Sequence, residues 1–271
     1  MANVPGTPGD DVLLGTAETD IIDGVEGNDV LAGLDGADGI AGGPGNNVIV
    51  GGRGDDTMTG GDNDIFIWNN GDGTDLVDGG GGTDLQIING AAAAADDFRV
   101  GTDATGTIAV FQRIGPAPFA ITMNNVETLD VRGSGGNDAF TVADLRTTDV
   151  TQVVFRGGAG ADTFYAPTSR TPLVVFGEDD NDTITTGLGN DWIDGGTGAD
   201  TVIYAGGIDT VVVELADVVQ VPGRAGARAV FGEGSLLLDF GAGNILSLEW
   251  QPGAFTAQTY YSTYLSGVAL L

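Results

Sequence analysis

Residues 51–59 read Gly-Gly-Arg-Gly-Asp-Asp-Thr-Met-Thr, and residues 195–203 read Gly-Gly-Thr-Gly-Ala-Asp-Thr-Val-Ile. Both follow the pattern G-G-x-G-x-D-x-U-x, in which U is a large apolar residue. The sixth position, called the ladder position below, recurs every nine residues from Asp11 to Asp56, with Asn47 as the one substitution. A single copy could arise by chance in a chain with 48 glycines. A register held over several copies indicates a repeat architecture.

The ladder position recurs in two blocks. After the first run the register slips by one residue at Asp64, and it returns in a second block in which the last three copies are again nine residues apart. The complete set of predicted ladder residues is Asp11, Asp20, Asp29, Asp38, Asn47, Asp56, Asp64, Asp75, Asp84, Asp138, Asp162, Asp182, Asp191 and Asp200.

The nonapeptide spacing predicts the fold. Six residues of Gly, Asp and Asn make a turn that needs positive φ angles, and the remaining three make a strand too short to survive alone. Two repeats then close one flattened coil of eighteen residues, with the U side chains pointing inward. We therefore predict an all-β fold, a right-handed parallel β-roll or β-helix solenoid. Successive coils would lie about 4.8 Å apart, the spacing of neighbouring strands, which stacks Asp11 on Asp29 and Asp20 on Asp38.

Stacked carboxylates and turn carbonyl groups form an oxygen cage that suits a hard cation of flexible coordination. We therefore predict that the ladder residues bind Ca²⁺ rather than zinc. The alternative is a metal-free solenoid of Gly and Asp. Two copies depart from the pattern: Glu18 occupies a glycine position, and Asn47 offers a neutral oxygen in place of a carboxylate.

These nonapeptides resemble the repeats-in-toxin (RTX, hemolysin-type) calcium-binding repeat family. The resemblance implies a bacterial protein that is exported unfolded by type I secretion and folds outside the cell, where calcium is plentiful. It also implies an uncleaved C-terminal signal, and the tail from Gly206 is similar to one in its few basic residues and apolar end. The alternative for this tail is a β-structure that closes the solenoid, and the two are compatible. Residues 1–5 lack the basic and apolar regions of a cleavable signal.

Composition excludes several partners. The chain has 39 acidic and 9 basic residues, a net charge of −30 and no Cys or His. This charge disfavours nucleic acids, phosphate-containing cofactors and anionic membranes, and no apolar stretch is long enough to insert into a membrane. Acids crowded on the edges of a solenoid would repel each other without cations. We therefore expect folding to be coupled to calcium binding.

Four zones follow one another along the chain. Residues 5–88 form the first repeat block, residues 89–132 are predicted to form longer, irregular coils of a parallel β-helix, and residues 133–205 form the second block. Residues 206–271 are a β-rich C-terminal zone. In the irregular zone, residues 91–95 are expected to form a short helix or a loop. The candidate strands are residues 107–111, 126–131, 209–213, 227–231, 235–240 and 244–250.

The chain is not expected to be an enzyme. Repeats occupy most of the sequence and leave no room for a separate catalytic domain. The absence of His and Lys removes the usual neutral-pH base and the Schiff-base nucleophile. Two acid pairs, Asp179 with Asp182 and Glu214 with Asp217, are compatible with glycoside hydrolysis. Acids at the turns of this chain are more typical of calcium ligands or solvated edge residues.

The favoured function is structural. We predict a secreted calcium-binding protein that self-assembles into an extracellular matrix, a surface layer or a filament. Only residues 1–5 precede the first coil, and residues 250–271 carry an unusual share of the aromatic residues. Two unlike ends would join copies head to tail. The alternative is a calcium-dependent adhesin or carbohydrate-binding module for cell-surface polysaccharide, with residues 255–264 as an aromatic platform. A polysaccharide-active enzyme is the third candidate.

Overall fold

The structure, a computed structural model, describes residues 1–115, 117–214, 216–222, 228–231, 234–251 and 265–266. Every helix or strand element among these residues is a β-strand, which confirms the predicted all-β class. In this described part of the chain, no helix is long and apolar enough to cross a membrane. The strands belong to two compact units.

Unit 1 comprises residues 1–91, 97–132 and 145–152. Its strands are β1 (Asn3–Pro5), β2 (Val12–Leu14), β3 (Ile21–Asp23), β4 (Val30–Asp35), β5 (Gly39–Gly43), β6 (Val48–Arg53), β7 (Thr57–Gly61), β8 (Ile65–Asn69), β9 (Asp75–Gly80), β10 (Leu85–Asn89), β11 (Asp97–Thr102), β12 (Ala109–Arg113), β13 (Phe119–Asn124) and β14 (Thr128–Gly135), the last of which begins in this unit.

Unit 1 is a parallel β-solenoid with two sheets. Strands β1, β3, β5, β7 and β9 pair in one sheet, and β2, β4, β6, β8 and β10 pair in the other. Val12 pairs with Val30, and Val30 pairs with Val48. Two consecutive nonapeptides therefore close one coil, as the spacing predicts. The hand of the coil stays a prediction.

The inward residue of each short strand is the U residue of the repeat. These side chains form the core of the first coils and are at most 3% exposed: Ile22, Leu31, Ile40, Ile49 and Met58. Their neighbours in the strand point outward, and Val12 is 72% exposed. Burying one such apolar side chain contributes roughly 1.5–3 kcal/mol. Stacking therefore stabilises strands that are too short to be stable in isolation.

Residues 97–124 contradict the prediction of longer parallel coils. Strand β11 pairs antiparallel with β12, and β12 pairs antiparallel with β13, which then lies parallel to β9. The physical reason is a tight turn after β11. The Asp103 carboxylate accepts hydrogen bonds from the Thr105 hydroxyl (2.8 Å) and the Thr107 N–H (3.1 Å), and Gly106 has φ 78°. A short turn joins antiparallel neighbours, whereas parallel strands need a longer crossover.

Unit 2 comprises residues 92–96, 133–144 and 153–271. Its strands are β15 (Ala139–Val142), β16 (Gln152–Ala159), β17 (Thr163–Tyr165), β18 (Leu173–Asp179), β19 (Thr183–Thr185), β20 (Trp192–Asp194), β21 (Thr201–Ile203), β22 (Ile208–Val212), β23 (Val218–Gln220), β24 (Arg228–Phe231), β25 (Ser235–Gly241), β26 (Asn244–Glu249) and β27 (Leu265–Ser266).

Unit 2 repeats the parallel architecture. Strands β15, β17, β19, β21, β23 and β27 form one sheet, and β16, β18, β20, β22 and β26 form the other. The predicted inward residues Phe140, Phe164 and Ile184 are at most 1% exposed. The two phenylalanine rings pack with their centroids 5.7 Å apart, and Phe155 lies 5.5 Å from each. These rings fill the wider interior of the coils.

The C-terminal zone is strand-rich, as predicted. The four candidate strands between residues 209 and 250 correspond to β22, β24, β25 and β26. Strand β25 pairs antiparallel with both β24 and β26, while β26 lies parallel to β22. The aromatic run at residues 255–264 lies outside the described residues. The helix-or-loop alternatives at residues 91–95 resolve to a loop, and the four-zone division of the chain stays a prediction.

Candidate metal centre

The predicted ladder residues lie directly before a strand, except that Asp75 is the first residue of β9. Thirteen of the fourteen have side chains that are at most 3% exposed, and Asp11, in the first coil, is partly exposed. Charged carboxylates are rarely buried without partners. The ladder is therefore the feature of this fold that most needs a chemical explanation.

One side-chain oxygen of each ladder residue after Asp11 accepts a backbone N–H from the preceding coil. The Asp11 N–H donates to Asp29 Oδ1 at 2.8 Å, and the Asp20 N–H donates to Asp38 Oδ1 at 2.7 Å. The same bond recurs in unit 2, where the Asp162 N–H donates to Asp182 Oδ1 at 2.8 Å. The predicted stacking of residues 18 positions apart is therefore confirmed, and it takes the form of a hydrogen-bonded column.

Sequence reasoning missed four members of these columns, one of which is Asp96, whose N–H donates to Asp138 Oδ1 at 2.6 Å. The Asp84 N–H donates to the Glu127 carboxylate at 2.8 Å, the Asp191 N–H to Asp209 Oδ1 at 3.1 Å and the Asp200 N–H to Asp217 Oδ1 at 3.1 Å. Only Asp209 carried a usable signal, because it follows Asp200 by nine residues. Glu127 and Asp217 join the columns after irregular segments. Their distances along the chain from Asp84 and Asp200 are not multiples of nine residues.

The second carboxylate oxygen has no hydrogen-bond partner in a defined subset of turns. In these turns, called open turns below, Oδ2 is buried and receives no donor, although the residue is at most 3% exposed. An unsatisfied buried carboxylate oxygen is costly, and a bound cation would satisfy it. The ladder residues of the open turns are Asp29, Asp38, Asp56, Asp84, Asp162, Asp182 and Asp200.

The space beside Oδ2 is also lined by main-chain oxygen. A Cβ added to Gly33 would collide with Asp38 Oδ2 and would lie 2.5 Å from the carbonyl oxygen of Gly51 in the next coil. A side chain at this position would therefore fill the gap between the two oxygens. Glycine keeps the space clear, and Asp38 Oδ2 faces it without a hydrogen-bond donor.

Asn47 shows which charge this space favours. Its Oδ1 accepts the Asp29 N–H at 2.9 Å, so its Nδ2 takes the place that Oδ2 has in the open turns. The Nδ2 amide donates to the carbonyl oxygens of Gly43 at 3.1 Å and Gly45 at 3.4 Å. Two carbonyl oxygens thus point at the second atom of the ladder side chain. In an open turn the corresponding atom is the carboxylate Oδ2. A cation placed there would bind this oxygen and the two carbonyl oxygens.

Other turns satisfy Oδ2 from within the chain, and we call them closed turns. Asp20 Oδ2 accepts hydrogen bonds from the Thr16 N–H at 2.6 Å and the Thr16 hydroxyl at 2.8 Å. Hydrogen bonds from Ala2 and Thr16 hold the pKa of Asp20 below its ordinary value. A donor from the chain likewise reaches Oδ2 of Asp11, Asp64, Asp191 and Asp217.

Burial makes several ladder carboxyls hard to ionise. Burial is the largest cause that raises the pKa of Asp56, Asp84 and Asp162 to about 6, and that of Asp75 and Asp182 to about 7. Neighbouring carboxylates add to the effect, as Asp162 and Asp200 do for Asp182. A bound cation would oppose both causes, because it stabilises the ionised form.

The donor set fits calcium. In the described part of the chain, no group of three or more His, Cys, Asp or Glu side chains is placed to hold a metal ion. An ion in an open turn would therefore take most of its ligands from main-chain carbonyls. Ca²⁺ accepts carboxylate and carbonyl oxygens in flexible geometry, whereas zinc prefers Cys and His ligands.

A comparison with protein families matches residues 5–40, 41–66, 154–166 and 176–211 to the RTX calcium-binding nonapeptide repeat. These four segments are RTX repeats. RTX repeats bind calcium as a family, and the RTX β-roll is generally a structural, calcium-binding module. Six of the seven open turns lie within the RTX segments, and the turn of Asp84 lies outside them. The chain has no significant match among curated proteins.

The acid pairs considered for glycoside hydrolysis are held in hydrogen bonds within unit 2. Asp182 is buried in its column, and Asp179 accepts a hydrogen bond from the Thr197 hydroxyl at 3.1 Å. In the second pair, Asp217 Oδ2 accepts the N–H of Glu214, so that these two residues close a turn. Both pairs therefore have a role in stabilising turns.

Proposed function

We propose that the protein is a secreted calcium-binding structural protein whose solenoid units fold when Ca²⁺ enters the open turns. One observation carries this proposal: seven buried carboxylates each leave one oxygen without a donor. The net charge of −30 supports it, because a compact chain with this charge is stabilised by bound cations. RTX repeats are typical of type I secreted extracellular proteins, which supports secretion.

The residues that would hold calcium are the open-turn ladder acids and the carbonyl groups beside them. The ion would supply the positive charge that the buried Oδ2 atoms lack. The chain contributes the rest: Oδ1 fixes each carboxylate to the N–H of the preceding coil, and a glycine such as Gly33 keeps the space open. No catalytic step is part of this function.

Substituting one open-turn acid should raise the calcium concentration needed for folding. Asp29→Asn keeps the Oδ1 acceptor for the Asp11 N–H and removes one negative charge. We expect the midpoint of a calcium titration, followed by circular dichroism, to rise roughly fivefold, which corresponds to a loss of about 1 kcal/mol. The matched control is Asp35→Asn, because Asp35 is an exposed acid in the same block. Equal midpoints for the two variants would contradict the proposed ligand set.

We further propose that copies of the protein assemble head to tail. Strands β1 and β2 end their sheets, and each pairs with a single strand of the described chain, so that one edge of each is unpaired. Leu14, on β2, is 59% exposed. An unpaired strand edge is a template for another chain. The partner surface in this hypothesis is the C-terminal segment from residue 250 onward, most of which lies outside the described residues.

Assembly should require both ends. A variant that stops at Gln251, refolded in millimolar Ca²⁺, should remain monomeric in light scattering, while the full chain forms polymers. Leu14→Lys should weaken polymers in the same way, because charged side chains on an edge oppose strand pairing. Both variants should bind as much calcium as the unmodified protein. A full-length protein that stays monomeric at high concentration in calcium would refute assembly.

A second candidate function is carbohydrate binding, and one observation favours it. Phe176 and Trp192 lie side by side on an outer face of unit 2, with ring centroids 5.1 Å apart, and Arg156 lies 4.5 Å from the Phe176 centroid. Their strand neighbours Val175 and Ile193 point into the core. Binding of the calcium-loaded monomer to cell-surface polysaccharide would support this adhesive function over assembly.

A further inference from the structure

Open and closed turns differ in the backbone four residues before the ladder acid. In all seven open turns that residue has a left-handed φ, between 78° and 104°. These residues are Val25, Leu34, Gly52, Gly80, Gly158, Glu178 and Gly196. In the closed turns of Asp11, Asp20 and Asp191, the corresponding residue is Thr7, Thr16 or Gly187. Those three described residues are outside the left-handed region, and each donates its N–H to Oδ2.

We infer that the conformation of this fourth preceding residue decides whether a turn takes calcium. Where it is left-handed and the ladder residue is an acid, the turn is a calcium site; where it is not left-handed, the chain's own N–H occupies the place of the ion. The inference rests on the proposed calcium-binding function and refines it. It removes Asp11, Asp20, Asp64 and Asp191 from the set of predicted ligands, and Asn47 with them.

The physical cause is which backbone group of this residue, its C=O or its N–H, faces the ladder side chain. In the Asn47 turn, Gly43 has φ 80° and its carbonyl oxygen accepts a hydrogen bond from the ladder side chain. In the Asp20 turn, Thr16 is not left-handed, and its N–H donates to the ladder side chain instead. The two conformations therefore present opposite partial charges to the same atom. Where the N–H faces the carboxylate oxygen, it donates a hydrogen bond to that oxygen. Where a carbonyl oxygen faces the carboxylate oxygen instead, a cation bound between the two oxygens would stabilise them.

Backbone strain in the open turns points the same way. Val25, Leu34 and Glu178 are not glycines, yet they have φ 78–79°. Such a conformation is strained, most of all for a β-branched residue such as valine. It persists only where surrounding interactions compensate for it. A cation bound to the carbonyl that this conformation directs inward would supply that compensation.

Asn47 offers a gain-of-function test. Gly43 already has the left-handed conformation, so that only the carboxylate is missing from this turn. Asn47→Asp should increase the bound calcium, measured by equilibrium dialysis and atomic absorption at saturating Ca²⁺, by one ion per chain. Terbium luminescence provides a second measurement of the added site. A gained ion cannot result from misfolding.

The control is Asp20→Asn in a closed turn. It should leave the calcium count unchanged, although it weakens the hydrogen bonds to Thr16 and lowers the urea midpoint of the calcium-loaded protein. An unchanged count for Asn47→Asp, its failure to fold at saturating calcium, or a lost ion in Asp20→Asn would overturn the inference. A lower calcium affinity of Asp29→Asn in the same experiment would show that the proposed function stands even so.

Discussion

Removing calcium at pH 7.5 should unfold the protein, and lowering the pH to 5 should restore much of its β-structure without calcium. The ladder carboxyls explain both results. At pH 7.5 most of them are ionised, buried and without a cation, so that burial and mutual repulsion oppose the fold. At pH 5 the acids with a raised pKa take up protons and become neutral.

The direction of this pH dependence follows from the raised pKa values of the ladder carboxyls. Asp75 and Asp182 have a pKa of about 7 in the folded protein, above the ordinary value of 3.8. A group with a raised folded pKa contributes stability that is fully present below its unfolded pKa. That stability is lost as the pH rises from about 4 to 7. One such carboxyl contributes on the order of 2–4 kcal/mol over this range, comparable to a large part of the stability of a typical domain.

Circular dichroism of protein dialysed free of calcium, at pH 5 and at pH 7.5, provides the measurement. The pH should stay above the isoelectric point of about 4.1 to avoid precipitation. In the presence of calcium the pH dependence is the opposite, because protons compete with Ca²⁺ for the carboxylates. The calcium concentration at the folding midpoint should therefore rise as the pH falls below about 6. Calcium-free protein that is fully folded at pH 7.5 would refute calcium-gated folding.

Phe164→Ala should destabilise unit 2 by about 3–5 kcal/mol, the usual cost of removing a buried phenylalanine ring. Phe164 is 1% exposed, and its ring contacts that of Phe140 on the neighbouring strand and that of Phe155 in the opposite sheet. Ladders on both sides hold its strand, β17, in register with β15 and β19. The loss should appear as a lower midpoint in urea denaturation at saturating calcium.

Tyr165→Ala is the matched control for this substitution. Tyr165 is the next residue in the same strand, and it points outward with 50% of its surface exposed. We expect a loss within about 1 kcal/mol, the range of β-propensity effects. Equal losses for the two variants would mean that the inward and outward positions of the strand are wrongly assigned.

Much of the fold was predictable because its determinants are local in the sequence. The nine-residue register gave the coil length, and the alternation of a strand gave the inward residue, as Leu31 and Phe164 confirm. The antiparallel segment at β11–β13 was not predictable from the same rule. Its direction depends on the turn at Asp103, where hydrogen bonds between nearby side chains and the backbone replace a crossover.

The candidate site divides in the same way. The sequence by itself determined where the ladder acids lie, because each occupies one fixed position of the repeat. Only the tertiary structure decided which of their oxygen atoms are left without a donor. Val25 and Thr16 are both β-branched residues at the same repeat position, yet Val25 has φ 78° and Thr16 is not left-handed. The carbonyl oxygen of Val25 lies against Gly43, 18 residues further along the chain, and a contact of this kind between neighbouring coils is not written in the repeat.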